Sequence, residues 1–377
     1  MMDFSYSEEQ QMLRDSVAKF VNNDYDFDTR RKIVESEGGF SKDNWKLFAE
    51  LGWLMVPFKE EDGGLGGTAT DIIGLMEELG KGIVVEPILA TVIMSGGIIA
   101  ETGSTEQKTE LLGAIMEGTL QLGLAFNEPQ SRYNLADVAT TATKQGDNYV
   151  LNGHKAVVLN GNNADKLVVV ARTSGDQRDS KGISLLLVDA NAKGVSRTSY
   201  ETVDGQHGAE IRFDKVSVPA SDLLGQEGEA LAALEKTIDL AALAVSAEAV
   251  GAMEVAYKKT VEYTKTRKQF GVPISSFQAL QHRMADMFIQ HEQAKSTLLM
   301  AAMKCDGSTN GTDPKAISAA KSRVGKSARL VGQESIQIHG GIGVTDELDV
   351  GHYFKRLTTI QFIFGSTDFH TQRFSEL

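Results

Sequence analysis

The sequence predicts an α+β chain of three successive stretches: helical over 1–118, antiparallel β over 119–225, and a bundle of long helices over 226–377. Three observations predict it. Apolar residues recur at helical spacing from Ser7 to Gly118. Between Leu120 and Gly225 the texture changes to short apolar runs separated by turn residues. After Glu229 long proline-free segments rich in alanine return to helical spacing.

The elements follow in order. Ser7-Glu8-Glu9-Gln10 reads as a capping box that opens a helix with apolar positions at Met12, Val17, Phe20 and Val21. A second helix runs through Trp45, Leu47, Phe48 and Leu51 and stops at Gly52, and Gly63-Gly64-Leu65-Gly66-Gly67 is a loop. Thr70 to Leu79 is helical, another apolar helix follows Pro87, and Glu106 to Met116 is one more. In the second stretch Tyr149-Val150-Leu151 ends in Asn152-Gly153, which signals a hairpin turn. Lys166–Ala171 and Ile183–Val188 are strand-length apolar runs flanking the polar loop Ser174–Lys181, and Ile211–Val216 begins with alternation. A barrel and a sandwich both satisfy this pattern. In the third stretch Ala232–Lys265, Ala279–Met303 and Pro314–His339 are long helices of the kind that pack as a bundle and carry an oligomer interface.

Composition narrows the function. A chain of 377 residues with 41% hydrophobic and 24% charged residues is an ordinary globular protein. Its net charge of −13 argues against nucleic acid or an anionic membrane as the main partner, because phosphates would be repelled, and leaves room for a local basic site for a phosphate-bearing ligand. The single cysteine, Cys305, excludes an internal disulfide and a multi-cysteine metal site; in its helix-like run it is a packed or semi-exposed thiol. Met1-Met2-Asp3-Phe4-Ser5 has neither a basic nor an apolar leader region, and no run of apolar residues reaches membrane-spanning length, so a cytoplasmic location is expected.

Three motif groups carry a resemblance. They are Arg267-Lys268-Gln269-Phe270-Gly271-Val272-Pro273-Ile274 with Phe277-Gln278 and Met284-Ala285-Asp286-Met287; Gln337-Ile338-His339-Gly340-Gly341-Ile342-Gly343; and Leu151-Asn152-Gly153-His154-Lys155 with Asn160-Gly161 and Ala164-Asp165. In this order and at these separations they resemble the acyl-CoA dehydrogenase family, supported by Glu60–Gly66 and by Val218-Pro219 before Leu224-Gly225. The resemblance spans about Phe4 to Phe374. Tyr25-Asp26-Phe27, Glu86-Pro87 and Phe364-Gly365 are most similar to the small subunit of the heteromeric pimeloyl-CoA dehydrogenases.

The resemblance implies FAD as cofactor, an acyl-CoA thioester as substrate and an electron-transfer flavoprotein as acceptor. It assigns Arg267, Phe270, Gln278, Gln337, Gly340 and Gly341 to the ADP half of a neighbouring subunit's FAD. The residue types suit that task. Arginine pairs two phosphate oxygens, glutamine both donates and accepts along an adenine or ribose edge, and glycine lets a backbone approach closely.

The groups expected to serve the chain's own flavin are missing. The family's catalytic glutamate falls on Phe364, before Gly365-Ser366, and the alternative position for the base, in the long helix, falls on Ala241. Ala242 stands where many members keep a supporting arginine. Val157-Val158-Leu159 replaces the Trp-Ile-Thr stretch that covers the flavin, and Asn127-Glu128-Pro129 followed by Gln130–Asn134 replaces Thr-Glu-Pro followed by Gly-Ser-Asp. Neither alanine nor phenylalanine takes a proton. The expectation is a two-plus-two heteromer in which this chain, with no catalytic residue and no metal of its own, completes the FAD site of a homologous catalytic subunit. Two alternatives stand beside it: a self-sufficient enzyme with a displaced base, for which Asp239, Glu248, Asp368 and His370 are the candidates, and a non-enzymatic scaffold of the same fold. In the bland reading those four residues are solvated helix, surface or tail positions.

Overall fold

The computed structural model describes residues 6–377; the absence of a leader, read from Met1–Ser5, concerns residues outside that range. The architecture is the expected one of helices, then a β sheet, then long helices. Contacts divide the chain into two compact units: Met1–Lys32, Thr68–Val84 and Ala242–Leu377 in one, Ile33–Gly67 and Val85–Ala241 in the other. The N-terminal helices are therefore shared between the units. No helix among the described residues is long and apolar enough to cross a membrane.

The first unit is helical. It contains α1 (Glu8–Asp24), most of α2 (Phe27–Val34), α4 (Ala69–Lys81), α8 (Gln278–Asp306), α9 (Pro314–His339), α10 (Val350–Ile360), α11 (Thr367–Glu376) and all but the first turns of α7 (Leu231–Thr266). The Ser7 capping box is present, with Ser7 Oγ accepting from Gln10 N–H at 3.2 Å. α9 starts on Pro314 behind the Asp313 cap and stops at Gly340, whose φ of +68° and ψ of −144° only glycine adopts readily. α2, α10 and α11 were not anticipated; α2 and α11 are short with few apolar positions, whereas α10 does carry a helical period, at Val350, Tyr353, Leu357 and Ile360, which was missed.

Two glycines let α4 and α7 cross at backbone contact. A Cβ on Gly80 would lie 2.1 Å from the Glu248 carbonyl oxygen, and one on Gly251 would lie 1.9 Å from that of Glu77. Charges bury beside the crossing. Arg14 of α1 donates to Glu77 at 3.0 Å and to Glu78 at 2.5 Å, and Lys295 of α8 reaches Glu77 at 2.9 Å. Asp306 closes α8 onto the start of α4, accepting from the Ala69 N–H at 2.7 Å and from the Thr70 hydroxyl. Cys305 is fully buried in α8, as expected.

The second unit holds α3 (Lys42–Glu50), α5 (Gly97–Thr102), α6 (Thr105–Met116) and the sheet. The segment after Pro87 is a nine-residue π-helix, Ile88–Gly96, that runs into α5. The strands are β1 (Leu122–Ala125), β2 (Thr141–Gln145), β3 (Asn148–Leu159), β4 (Lys166–Arg172), β5 (Ile183–Asp189), β6 (Val195–Glu201), β7 (His207–Pro219) and β8 (Leu223–Leu224). They form one sheet ordered β6-β7-β3-β2-β4-β5-β8, with β1 added parallel to β4. The sheet is thus mixed, not wholly antiparallel. Its core includes Leu151, Leu167, Val169, Leu186, Ile211 and Phe213.

The hairpin predicted at Asn152-Gly153 is not there. β3 runs straight through, and the turn lies earlier, where Gly146 has φ +60° and Gln145 pairs with Asn148. The pairing with β7 shifts register between Leu151 and Gly153. Gly153 is needed for contact, since a Cβ there would lie 2.3 Å from Thr140 Oγ1, and Asn152 Oδ1 accepts from Lys215 N–H at 2.9 Å.

Gly251→Ala drives a methyl into the Glu77 carbonyl, so α4 and α7 must separate. We expect a loss of about 3 kcal/mol in urea unfolding, at the upper end for overpacking. A change below about 0.5 kcal/mol would show that the crossing is not tight.

Candidate functional site

The six residues assigned to a dinucleotide all lie in the helical unit, where their elements converge. Arg267 follows the last residue of α7, and its carbonyl accepts from Ile274 N–H at 2.8 Å, closing the short hairpin of β9 (Lys268–Gln269) and β10 (Val272–Pro273). Phe270 and Gly271 form the hairpin's turn with φ of +54° and +81°. Phe270 is 91% exposed and touches Phe277 edge-on, with centroids 6.1 Å apart. Gln278 opens α8, whose first turn lacks a side-chain cap. Gln337 and Gly340 close α9.

One stack joins the ends of α7 and α9. The Tyr263 and His339 rings lie parallel with centroids 4.3 Å apart, and the Tyr263 hydroxyl donates to the His339 carbonyl at 3.3 Å. Thr264 Oγ1 meets Met284 Sδ at 3.5 Å and brings α8 alongside. Sequence reasoning missed this pair, because an aromatic and a histidine 76 residues apart give no local signal.

Arg267, Gln278, Gln337, Gly340 and Gly341 are exposed, and a Cβ on either glycine would meet nothing within 4 Å. Arg267 has no ion-pair partner among the described residues. The ends of α7 and α9 present carbonyls, so an anion here must rely on the Arg267 and Lys268 cations and on the α8 N-terminus. A dinucleotide's ADP half fits this set: a cation for the pyrophosphate, two amides for base and ribose, and open backbone between them.

The β unit presents a different picture. Val157 has φ +51°, a strained choice for a β-branched residue, at a bulge between Lys155 and Val158. Its side chain is 48% exposed, and Leu159 is half-buried. No side chain in Val157-Val158-Leu159 can donate or accept a hydrogen bond, so this segment does not fit the polar edge of a flavin ring. Under the bulge, Lys155 Nζ donates to Glu128 Oε1 at 2.6 Å, both side chains being buried. The same carboxylate accepts from Ala139 N–H at 2.8 Å and Thr140 N–H at 3.0 Å. Burial opposes ionisation of Glu128, but the Lys155 ammonium and these bonds bring its carboxyl down to about 2; burial brings Lys155 down to about 8. The pair is ionised at neutral pH. Two residues that appeared in separate motifs are thus one interaction.

Ala241 and Phe364, the two positions where a base was expected, carry no ionisable side chain. Ala241 is fully buried within α7, and Phe364 sits in the turn between α10 and α11 with φ +58°. The bland readings of three alternative candidates need correction. Glu248 is not a surface residue: it is buried and takes two bonds from Arg356, at 2.6 and 2.7 Å. Asp239 is buried rather than solvated, and His370 is 1% exposed rather than a tail residue. His370 Nε2–H donates to the Phe364 carbonyl at 2.9 Å, and Nδ1 accepts from Ser318 Oγ at 3.3 Å. Asp368 is exposed in the first turn of α11, as expected. Glu248 and His370 are committed to structural partners.

Comparison with known proteins places these features in a lineage. Residues 7–119, 123–216 and 230–376 match the N-terminal, middle and C-terminal domain profiles of acyl-CoA dehydrogenases. The probable acyl-CoA dehydrogenase YngJ of Bacillus subtilis is 34% identical over 355 residues, 93% of this chain and 92% of that protein. The butyryl-CoA dehydrogenase structure from Megasphaera elsdenii superposes with a TM-score of 0.89 at 28% identity, covering 100% of this chain and 99% of that one. A chain of the ChsE4–ChsE5 complex from Mycobacterium tuberculosis gives a TM-score of 0.89 at 25% identity, covering 100% and 98%.

Burial, with the Lys321 ammonium adding to it, holds His370 down at about 4, well below the ordinary histidine value. The unfolded chain therefore binds the extra proton first, and stability that is complete above about pH 6.5 should drain away as pH falls towards 4. The expected loss is about 3 kcal/mol in urea unfolding. His370→Gln, which keeps a donor for the Phe364 carbonyl, should flatten that pH dependence; an unchanged slope would assign it to other groups.

Proposed function

The chain belongs to the acyl-CoA dehydrogenase family, and from that premise we propose that it is the non-catalytic subunit of a heteromeric FAD-dependent acyl-CoA dehydrogenase. In this reading it completes the FAD site of a homologous catalytic partner, two copies of each, and its nearest functional counterpart is the small subunit of the pimeloyl-CoA dehydrogenases. FAD, the family's cofactor, accepts the hydride removed from the acyl thioester. The functional segments are 1–118, 119–225 and 226–377, the last carrying the partner-facing surface. The complex acts on an acyl-CoA in the cytoplasm and passes electrons to an electron-transfer flavoprotein.

One asymmetry carries the reading. Arg267, Gln278, Gln337 and the open Gly340-Gly341 turn remain exposed at one end of the helical unit. Phe364, Ala241 and Leu159, at positions where the family works on its own flavin and substrate, offer no proton acceptor and no hydrogen bond. Arg267 would hold pyrophosphate oxygens through its planar fork, and Gln278 and Gln337 would orient base and ribose. Phe270, almost fully exposed, would exclude water from that half of the cofactor. The commitment of Glu248 to Arg356 and of His370 to Phe364 and Ser318 weighs against a displaced base. A related fold occurring in the two-protein ChsE4–ChsE5 complex is in keeping with a heteromer.

Arg267→Ala in the co-expressed complex should weaken FAD binding by roughly one to two orders of magnitude, from the loss of a charge-assisted bond. Fluorescence titration of the stripped complex with FAD reads this directly. Unchanged affinity would remove the residue from the cofactor site. Flavin absorbance against protein should count two FAD per two-plus-two complex, and four tightly bound FAD would show that the Val157–Leu159 segment still serves a flavin.

A further inference from the structure

Residue 364 lies at the family's usual base position, yet here it is a phenylalanine in the left-handed region. A bulky side chain at φ +58° is strained, and such residues persist only where surrounding contacts over-determine them. Those contacts come from both sides of the turn. Lys321 of α9 is 2% exposed and donates to the Ile360 carbonyl, at the end of α10, at 2.8 Å and to the Gly365 carbonyl at 3.0 Å. His370 of α11 donates to the Phe364 carbonyl at 2.9 Å and is itself oriented by Ser318 of α9. Gly365 is wedged as well, since a Cβ there would lie 2.5 Å from His370 Nε2. Its φ of +119° also needs glycine.

The geometry points to Lys321 and His370 as positioning residues that together impose the left-handed backbone of residue 364. Ile360, Phe364 and Gly365 each surrender a carbonyl to a side chain anchored in a neighbouring helix, so the turn cannot relax to an ordinary conformation without leaving a buried donor unsatisfied. The mount for a side chain at position 364 is therefore intact although the carboxylate is absent. This goes beyond the subunit assignment and holds whichever subunit is catalytic. Among the described residues Lys321 answers no carboxylate; Arg373 of α11 is the other charged group acting on His370 besides Lys321. A lysine buried among carbonyls is an expensive way to close a helix, and a role in fixing the turn accounts for it.

The test compares Phe364→Gly with Phe364→Ala by urea unfolding of the full chain. Both lack the phenyl ring, so their difference reports the backbone alone. In the otherwise unaltered chain the glycine variant should have an unfolding constant roughly fivefold or more lower, because glycine carries no left-handed penalty. In Lys321→Met and His370→Leu backgrounds the two should come within about twofold, the turn being free to relax. His370→Asn, which retains a donor, should restore part of the difference. A glycine–alanine difference equal in every background would overturn the proposal, as would no difference in the unaltered chain. Either background suffices if the other fails to fold; if neither folds, the comparison in the unaltered chain decides, a difference supporting the idea and no difference overturning it.

Discussion

The contact that organises the helical unit is the crossing of α4 and α7 at Gly80 and Gly251, where each helix meets a carbonyl of the other with no side chain between. That closeness has an electrostatic consequence. Glu77 and Glu248, whose carbonyls face the glycines, carry carboxylates that are buried beside the seam. A buried carboxylate without partners is far more costly than one that is paired. Each is therefore answered from a different helix: Glu77 by Arg14 of α1 and Lys295 of α8, Glu248 by Arg356 of α10. Three further helices are tied to the seam by charges made necessary by a lack of space. Tyr353, also on α10, adds a hydroxyl bond to the Lys81 carbonyl at the end of α4.

The sheet unit solves the same problem on a smaller scale. Lys155 and Glu128 are buried together, and the carboxylate also gathers the backbone around Thr140. Arg172 does comparable work at the end of β4, donating to the carbonyls of Ala136, Val138, Gln177 and Asp179 and so shaping the loop that follows. Asn160 donates to Gln121 at 2.9 Å and links the bulge of β3 to the strand start beside the π-helix. Backbone strain at Val157 and Asn160 is tolerated because these bonds fix both neighbours. The bulge keeps its shape with only apolar side chains at Val157, Val158 and Leu159.

Much of the fold was legible because it is written locally. α9 begins at a proline behind an aspartate cap and ends at a glycine, and all three signals stand in the sequence. Asn152-Gly153 misled for the opposite reason: the pair favours a hairpin turn, but Thr140 and Lys215 decide its geometry from other strands. In the candidate site, Arg267, Gln337 and Gly340 were identifiable by motif, and their convergence through Tyr263 and His339 was not. Glu248, Asp239 and His370 resembled solvated positions because a helical period tells which face is apolar, not whether a distant arginine or serine answers a polar side chain. Their partners, Arg356 and Ser318, lie 108 and 52 residues away for Glu248 and His370.

The placement of charge also decides how the chain meets ionic strength. Its formal charge is −13, so its exposed acidic groups repel one another, and that repulsion is carried through solvent, where mobile ions screen it. The pairs at the α4–α7 seam and under the β3 bulge lie inside the protein, where screening is weak. Added salt therefore relieves that repulsion while leaving these buried pairs in place. An acidic surface over buried ion pairs makes a protein whose folded form tightens, rather than loosens, as a dilute buffer approaches the salinity of a cell.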